Sequence, residues 1–375
     1  MCTTSVEGGR RKPALPPAIT EQFSAFLLHS YRRVLGQSKK CIRDSRLACP
    51  GIQGCRMSTL AHVYRARQRI AGRICRTPLV ASPALARMVG APVYLKLETV
   101  HPTGSFKLRG ATNALVALAE QGVKRVVTAS TGNHGRALAY AARALGMEAT
   151  VCLSALVPQN KVDAIAALGA RVVIVGNGQD DAQAEALRLA RERGGACVPP
   201  FDDPLVIAGQ ATIGLEILEA LPDVATIVVP LSGGGLFSGV ALAAKGIQPQ
   251  VRMIGATMER GAAMHASLAA GKPVSVDEVK TLADSLGGGI GLDNRHTFML
   301  TRALIDRVLL LDEAAIARGI VHAYREERLV VEGAAAVGMA AALERMLSAE
   351  RGALVIIVSG CNIDIELHRH LIGAA

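Results

Sequence analysis

Val126-Val127-Thr128-Ala129-Ser130-Thr131-Gly132-Asn133-His134-Gly135 runs from a β-branched apolar segment into a polar, glycine-containing turn. An alanine-rich stretch follows that reads as a helix as far as Leu145, with Gly146 placed to end it. Strand, turn and helix then recur outward from this point. Downstream, 149–153 reads as a strand, 161–168 as a helix stopped by Gly169, 171–175 as a strand and 180–193 as a helix stopped by Gly194 and Gly195. Farther on, 226–230, 253–256 and 354–358 read as strands and 236–245 as a helix. Upstream, a helical pattern covers 61–74 until Thr77-Pro78-Leu79 breaks it. Strands that are apolar along their whole length, separated mostly by helices, belong to parallel sheets buried on both faces. The predicted fold class is α/β, with two doubly wound parallel-sheet lobes and the active site in the cleft between them. Residues 58–124 and 195–375 make the expected large lobe and 125–194 the small one; no internal repeat is visible.

A chain of 375 residues is long enough for two ordinary domains with real cores. Half its residues are apolar, yet only 3% are aromatic and Trp is absent. Ala and Gly dominate instead, which suits closely packed helices on a sheet. No apolar run reaches the ~20 residues of a bilayer span, so a soluble, cytoplasmic protein with no membrane partner is expected. The net charge of +11 would suggest nucleic acid or an anionic surface. Residues 1–57, however, hold ten basic residues against Glu7, Glu21 and Asp44, and carry +7 of that charge. A nucleic-acid role would rest on this extension alone, and the extension lacks interleaved aromatics. Its apolar run at 23–28 is too short for a secretory signal. It reads as an upstream extension before Met57-Ser58-Thr59, expected to be disordered or poorly packed. Cys2, Cys41, Cys49 and Cys55 fall in it, while Cys75, Cys152, Cys197 and Cys361 are widely scattered with no Cys-x-x-Cys pair. Such cysteines read as small core residues in a reducing compartment.

Three turns carry candidate chemistry. In Thr103-Gly104-Ser105-Phe106-Lys107-Leu108-Arg109-Gly110-Ala111, a lysine is flanked by small residues in an otherwise apolar stretch. Desolvation there would lower its pKa and make the amine nucleophilic. A lone lysine would be read as a surface residue, but Arg109 and the bracketing Gly104 and Gly110 leave room for a planar ligand. In Ser130-Thr131-Gly132-Asn133-His134-Gly135, hydroxyls, an amide and free N–H groups at a helix start make an anion pocket suited to a carboxylate. An ordinary N-cap needs fewer polar residues than this; His134 by itself reads as structural. In Ser232-Gly233-Gly234-Gly235-Leu236, after the apolar 227–231, successive N–H groups can converge on a phosphate. The loop is neither a dinucleotide fingerprint nor a P-loop.

These three elements, in this order, resemble the fold-type II pyridoxal 5′-phosphate (PLP) enzymes of the serine/threonine dehydratase family, whose fold is tryptophan synthase beta-like. The resemblance runs from about Thr77 to Asp364 and rests chiefly on Gly104-Ser105-Phe106-Lys107-Leu108-Arg109-Gly110-Ala111. The family's pattern also appears in Ala208-Gly209-Gln210-Ala211-Thr212-Ile213, Leu282-Ala283-Asp284-Ser285-Leu286, Glu332-Gly333-Ala334-Ala335 and Val358-Ser359-Gly360-Cys361-Asn362. The resemblance implies that Lys107 joins the cofactor's aldehyde and later moves the α-proton, with Ser130 and Thr131 beside it as catalytic residues. Ser130, Thr131, Gly132, Asn133 and His134 would bind the substrate. Asn133 would bond the cofactor's phenolic oxygen, Gly233, Gly234, Gly235 and Leu236 would hold its phosphate, and Ser359 would face its ring nitrogen. The implied reaction removes water and then ammonia from a small hydroxylated amino acid, giving a 2-oxo acid; the implied assembly is a homodimer.

Departures from the pattern narrow this expectation. Racemases of the family carry serine where Thr131 sits, which argues against racemisation, the alternative activity. After the strand near Thr257 the segment Met258-Glu259-Arg260-Gly261-Ala262-Ala263-Met264 offers one carboxylate, so no metal is expected there. The short stretch after Asp364 leaves no room for the C-terminal regulatory domain of biosynthetic threonine dehydratases, and isoleucine feedback is not expected. Ser154-Ala155-Leu156-Val157-Pro158, the 258–264 segment and Asp284-Ser285-Leu286-Gly287-Gly288-Gly289-Ile290-Gly291 look similar to the hydroxyectoine-utilisation dehydratases. That would make the substrate a hydroxylated diamino acid. A nucleotide-binding oxidoreductase, the alternative from another class, would account for the glycine loop but not for Lys107 or Asn133.

Overall fold

Ten strands among the described residues form two sheets in the computed structural model, which describes residues 59–130, 132–157, 159–348 and 352–374. The readings made for the 1–57 extension, and for Thr131, lie outside the described residues. The first sheet has the order β1-β2-β10-β7-β8-β9. Its strands are β1 (Leu79–Ala81), β2 (Val93–Leu97), β7 (Thr226–Pro230), β8 (Arg252–Met258), β9 (Arg307–Leu311) and β10 (Leu354–Val358). The second has the order β5-β4-β3-β6, from β3 (Arg125–Ala129), β4 (Glu148–Leu153), β5 (Arg171–Ile174) and β6 (Ala196–Cys197). All strand pairs are parallel except β1 with β2. The chain leaves the first sheet after β2, builds the second, and returns to the first at β7.

Alternate residues of each central strand enter different cores, as a sheet covered on both faces requires. Val228, Ile254 and Ile356 pack with the helix Gly333–Leu343. Their neighbours Ile227, Val229, Val355 and Ile357 pack with the helices Pro204–Ala220 and Gly235–Ile247. The second sheet divides likewise, Val126 and Val151 to one side and Val127 and Cys152 to the other. Glycine sets how closely the helices approach: a Cβ on Gly239 would lie 2.6 Å from the Ile207 carbonyl oxygen. Asp203 caps Pro204–Ala220, accepting from the N–H groups of Leu205 and Val206, with Pro204 at the first helical position.

The structure corrects several readings. The helix expected over 61–74 is Leu60–Ile70, because the chain turns at Gly72, whose φ is +73°. Cys152 lies buried in β4, but Cys75 is exposed before β1 and Cys361 sits in the loop after β10. Strands β1, β2, β6 and β9 were not foreseen, and β1 departs from the all-parallel expectation. Among the described residues no helix is long and apolar enough to cross a membrane.

Candidate active site

The loops after β7 and β10, neighbours in the first sheet, and the turn after β3 open onto one cleft of about 840 Å³. Clefts at the carboxyl ends of parallel strands are where doubly wound folds bind ligands. Lys107, Ser130, Asn133, Gly233 and Ser359 all line it.

Lys107 is the first residue of the helix Lys107–Glu120. The chain just before it is pinned to the end of β10: Phe106 N–H donates to the Ser359 carbonyl at 3.0 Å, and Ser105 bridges to Gly360. The Lys107 amine donates to the Pro200 carbonyl at 2.6 Å and lies 5.3 Å from the centre of the Phe106 ring. Burial pulls its pKa down to about 8, against the charge of Glu332. An amine so placed spends part of its time neutral near physiological pH, as a nucleophile or proton acceptor must.

Gly132 N-caps the helix Asn133–Ala144, so Asn133 and His134 sit in its first turn, both buried. The Asn133 amide nitrogen donates to both carboxyl oxygens of Glu332, at 2.8 and 3.1 Å, and its oxygen accepts from the Asn362 side chain. His134 bonds the Val198 carbonyl at 3.0 Å; burial and the nearby Lys107 charge lower its pKa to about 3, leaving the ring neutral.

The glycine loop is cut to fit its neighbours. Gly234 adopts φ +87° as N-cap of Gly235–Ile247, a conformation that favours glycine. A Cβ on Gly233 would lie 2.4 Å from the Phe201 ring. Backbone N–H groups are thereby bared at the positive end of a 13-residue helix. The segment 200–203 serves both ends of the cleft: Pro200 receives the lysine, Phe201 underlies the glycines, and Asp202 accepts from the N–H groups of Arg295, His296 and Thr297.

Arg109 does not share the cleft. It is fully buried and points the other way, with a two-bond fork to Glu98 at 2.7 and 3.0 Å and bonds to Glu216 at 2.7 and 2.9 Å. Its sequence reading as support for a planar ligand is therefore corrected: a helix turns 100° per residue, so two positions place it on a nearly opposite face. Glu332 and the 200–203 segment carried no role in the sequence reading. The signal for Glu332 was present as a lone acid ahead of an unbroken Gly/Ala run; its partner Asn133 is 199 positions away. Among the described residues no group of three or more His, Cys, Asp or Glu could hold a metal ion.

A partly neutral lysine, a bared glycine loop for a phosphate and a hydroxyl at the end of β10 fit the donor set that PLP demands. The family model of pyridoxal-phosphate-dependent enzymes matches residues 70–360. The chain belongs to this family. Within it, a protein of Sinorhizobium fredii, provisionally named a threonine dehydratase, is 56% identical over 315 residues, covering 84% of this chain and 95% of that one. An L-threonine ammonia-lyase of Geobacter sulfurreducens is 42% identical over 305 residues, covering 81% and 75%. The structure of maize serine racemase is similar with a TM-score of 0.78 at 35% identity, covering 85% of this chain and 99% of that one. PLP is the cofactor, the fold is that of the fold-type II enzymes, and the branch is that of the serine/threonine dehydratases. The oxidoreductase alternative is withdrawn on this ground.

Proposed function

We propose that the protein is a dehydrating ammonia-lyase that converts a small β-hydroxy amino acid into a 2-oxo acid and ammonia. The carrying observation is the Lys107 amine, desolvated and held by Pro200 in the cleft that also holds the glycine loop. PLP, when bound, supplies an electron sink for the pair left at the substrate Cα. Gly233, Gly234, Gly235 and Leu236 would hold its phosphate, Asn133 would bond its phenolic oxygen, and Ser359 would meet its ring nitrogen. Ser130, Thr131, Gly132, Asn133 and His134 receive the substrate carboxylate. Lys107 Nζ takes the proton from Cα and returns it to the β-hydroxyl, which departs as water. The resulting enamine adds water and releases ammonia. Ser359 is a neutral hydroxyl and does not hold the ring nitrogen protonated as a carboxylate would. A hydroxyl in that place would favour loss of the β-substituent over transamination.

The finer reading is a hydroxylated diamino acid from hydroxyectoine catabolism as substrate, in a cytoplasmic homodimer, with lobes at 58–124 plus 195–375 and at 125–194. The two separate sheets support such lobes, and the pairing of β6 with β3 favours a later boundary, past Cys197. Racemisation is the second reading, supported by the likeness to maize serine racemase and opposed by the β-branched Thr131. The test is direct. Purified protein should absorb near ~410–420 nm and release 2-oxo acid from at least one of threonine, serine, 3-hydroxyaspartate or a hydroxylated diaminobutyrate. Protein that stays colourless with added PLP would falsify the reading; inversion without 2-oxo acid would favour the racemase.

A further inference from the structure

Glu332 has no task in the reaction above, yet it is only 3% exposed, lines the cleft, and is gripped from several segments at once. It N-caps the helix Gly333–Leu343 without giving that helix a side-chain bond. The carboxyl turns instead to the cleft, where it accepts from the Asn133 amide and, at 3.2 Å, from the Asn362 backbone N–H. The end of β10 lies against it: a Cβ on Gly360 would be 2.9 Å from Glu332 Oε1. Asn362 completes the frame, since its side chain donates to the Asn133 oxygen and, at 2.9 Å, to the Thr103 carbonyl, and accepts from Arg136 at 2.8 Å.

Asn133 is thus held at both ends of one amide. A carboxylate only accepts hydrogen bonds, so it fixes which end of the amide is nitrogen. The amide nitrogen lies against both Glu332 oxygens, at 2.8 and 3.1 Å, at the wall of the cleft that Asn133 and Glu332 both line. We propose that Glu332 is a positioning residue for the Lys107 chemistry, acting through Asn133. Its carboxylate aims the amide donor into the cleft and its negative charge faces the Lys107 amine. This rests on the dehydratase reading given above.

The charge is costly where it stands. Burial and the charge of Asp284 lift Glu332 to about 7, against hydrogen bonds from Asn133, the Asn362 N–H and Ser285. Its charge interacts with Lys107 on the helix Lys107–Glu120, Asp284 on the turn Asp284–Leu286 and Cys361 after β10, and His134 and Arg136 on Asn133–Ala144 line the same cleft. Once protonated, the carboxyl turns from a pure acceptor into a donor on one oxygen, and the fixed orientation of Asn133 is lost.

The experiment measures PLP affinity of the full-length apoprotein by cofactor absorbance from pH 5.5 to 9, beside kcat and KM of the holoenzyme, for wild type, Glu332→Gln, Glu332→Asp, Asn133→Ala and the double Glu332→Gln/Asn133→Ala. Wild type should lose PLP affinity as pH falls through about 7. Glu332→Gln should lose the part of that dependence centred near 7, keep only the part set by Lys107 at about 8, and bind PLP about tenfold more weakly, the scale of one charge-assisted hydrogen bond. Its kcat should fall more than its KM changes, and Glu332→Asp should recover part of both losses. In the double variant the Gln change should add nothing to Asn133→Ala, because the carboxylate acts through that amide. A Glu332→Gln enzyme with the wild-type pH profile and affinity would overturn the inference, as would full additivity in the double variant. Wild type that binds no PLP would overturn the underlying reading instead.

Discussion

Lys107 and Arg109 lie two residues apart on one helix and meet opposite fates. Arg109 is closed into a buried cluster in which every charge has a partner. Glu98 and Glu216 bind its guanidinium, Lys96 binds Glu216 at 2.6 Å, and His101 bonds Glu98 at 3.0 Å. Burial alone would raise the Glu98 carboxyl, but the Arg109 charge and the bonds from His101 and Arg109 drive it far below the usual range. Lys107 is only partly buried, at the wall of the cleft, and has a carbonyl where Arg109 has carboxylates; desolvation lowers its pKa to about 8. Burial with full pairing strengthens a charge, whereas burial without it leaves the group ready to change state. The first arrangement builds the helix into the fold, and the second supplies chemistry.

The largest test removes the cleft's side of the contrast. Lys107→Ala should lower turnover by at least about a thousandfold and leave the fold intact. The folded amine loses its proton at about 8, below its ordinary 10.5, so the folded chain binds fewer protons than the unfolded chain between those values. Stability in wild-type apoprotein is therefore depressed below about pH 8 and recovers as pH rises toward 10.5. Calorimetric scans of Lys107→Ala should show no fall in Tm at pH 7 and should lack this recovery. A large loss of Tm would mean that Lys107 is a structural residue after all.

Arg109→Met attacks the other side. It leaves Glu98 and Glu216 in the interior without their fork, at a cost of about 3–5 kcal/mol. Urea unfolding measures this directly. Activity per folded molecule should survive, because Arg109 does not reach the cleft. Arg109→Lys should recover little, since an ammonium cannot make the paired bonds that Glu98 and Glu216 accept.

Two buried glutamates give the contrast opposite pH signs. Glu98 is held below its ordinary 4.5, so its stabilisation is present above that value and lost as pH falls. Glu332 is lifted from 4.5 to about 7, so the folded chain holds its proton more tightly and stability is lost as pH rises through that window. The second effect amounts to about 3 kcal/mol at most. Glu332→Gln should flatten the alkaline loss and Glu98→Gln the acid one, in denaturation midpoints taken from about pH 2 to 9. Slopes of the same sign would break the distinction between a carboxyl bound by a guanidinium and one bonded by amides.

How much of this was legible followed from local pattern. Strands Thr226–Pro230 and Leu354–Val358 fall where the sequence reading put them, because short β-branched runs apolar on both faces leave few other readings. The helices Pro204–Ala220 and Gly333–Leu343 escaped it, because they are buried on nearly every side and show no 3.6-residue period. Strand β6 has only two residues, too few for any alternation. The three turns were legible as ligand loops, and the structure brings Lys107, Ser130, Asn133, Gly233 and Ser359 onto one cleft. Partnership was not legible: Arg109 is claimed by Glu98 and Glu216, and Asn133 by Glu332, through contacts between residues far apart in the chain.

The smallest expected effect concerns a part of the cleft where shape rather than charge decides. Gly233 faces the Phe201 ring, and an added methyl would stand 2.4 Å from it. No real Cβ contact is that close, so in Gly233→Ala either the ring or the loop must move. Overpacking of this kind costs about 1–3 kcal/mol. Phe201 is anchored on both sides, by the Pro200 carbonyl that holds Lys107 and by the three N–H bonds into Asp202. The loop is the softer partner, and its displacement should appear as weaker PLP binding with a loss of only about a few degrees in Tm. Phe201→Leu, which removes the ring edge, should restore part of that affinity in the double variant. Recovery would show that the phosphate end of the cleft is set by steric fit to Phe201. If the double variant binds PLP no better than Gly233→Ala, the loop is held by something other than Phe201.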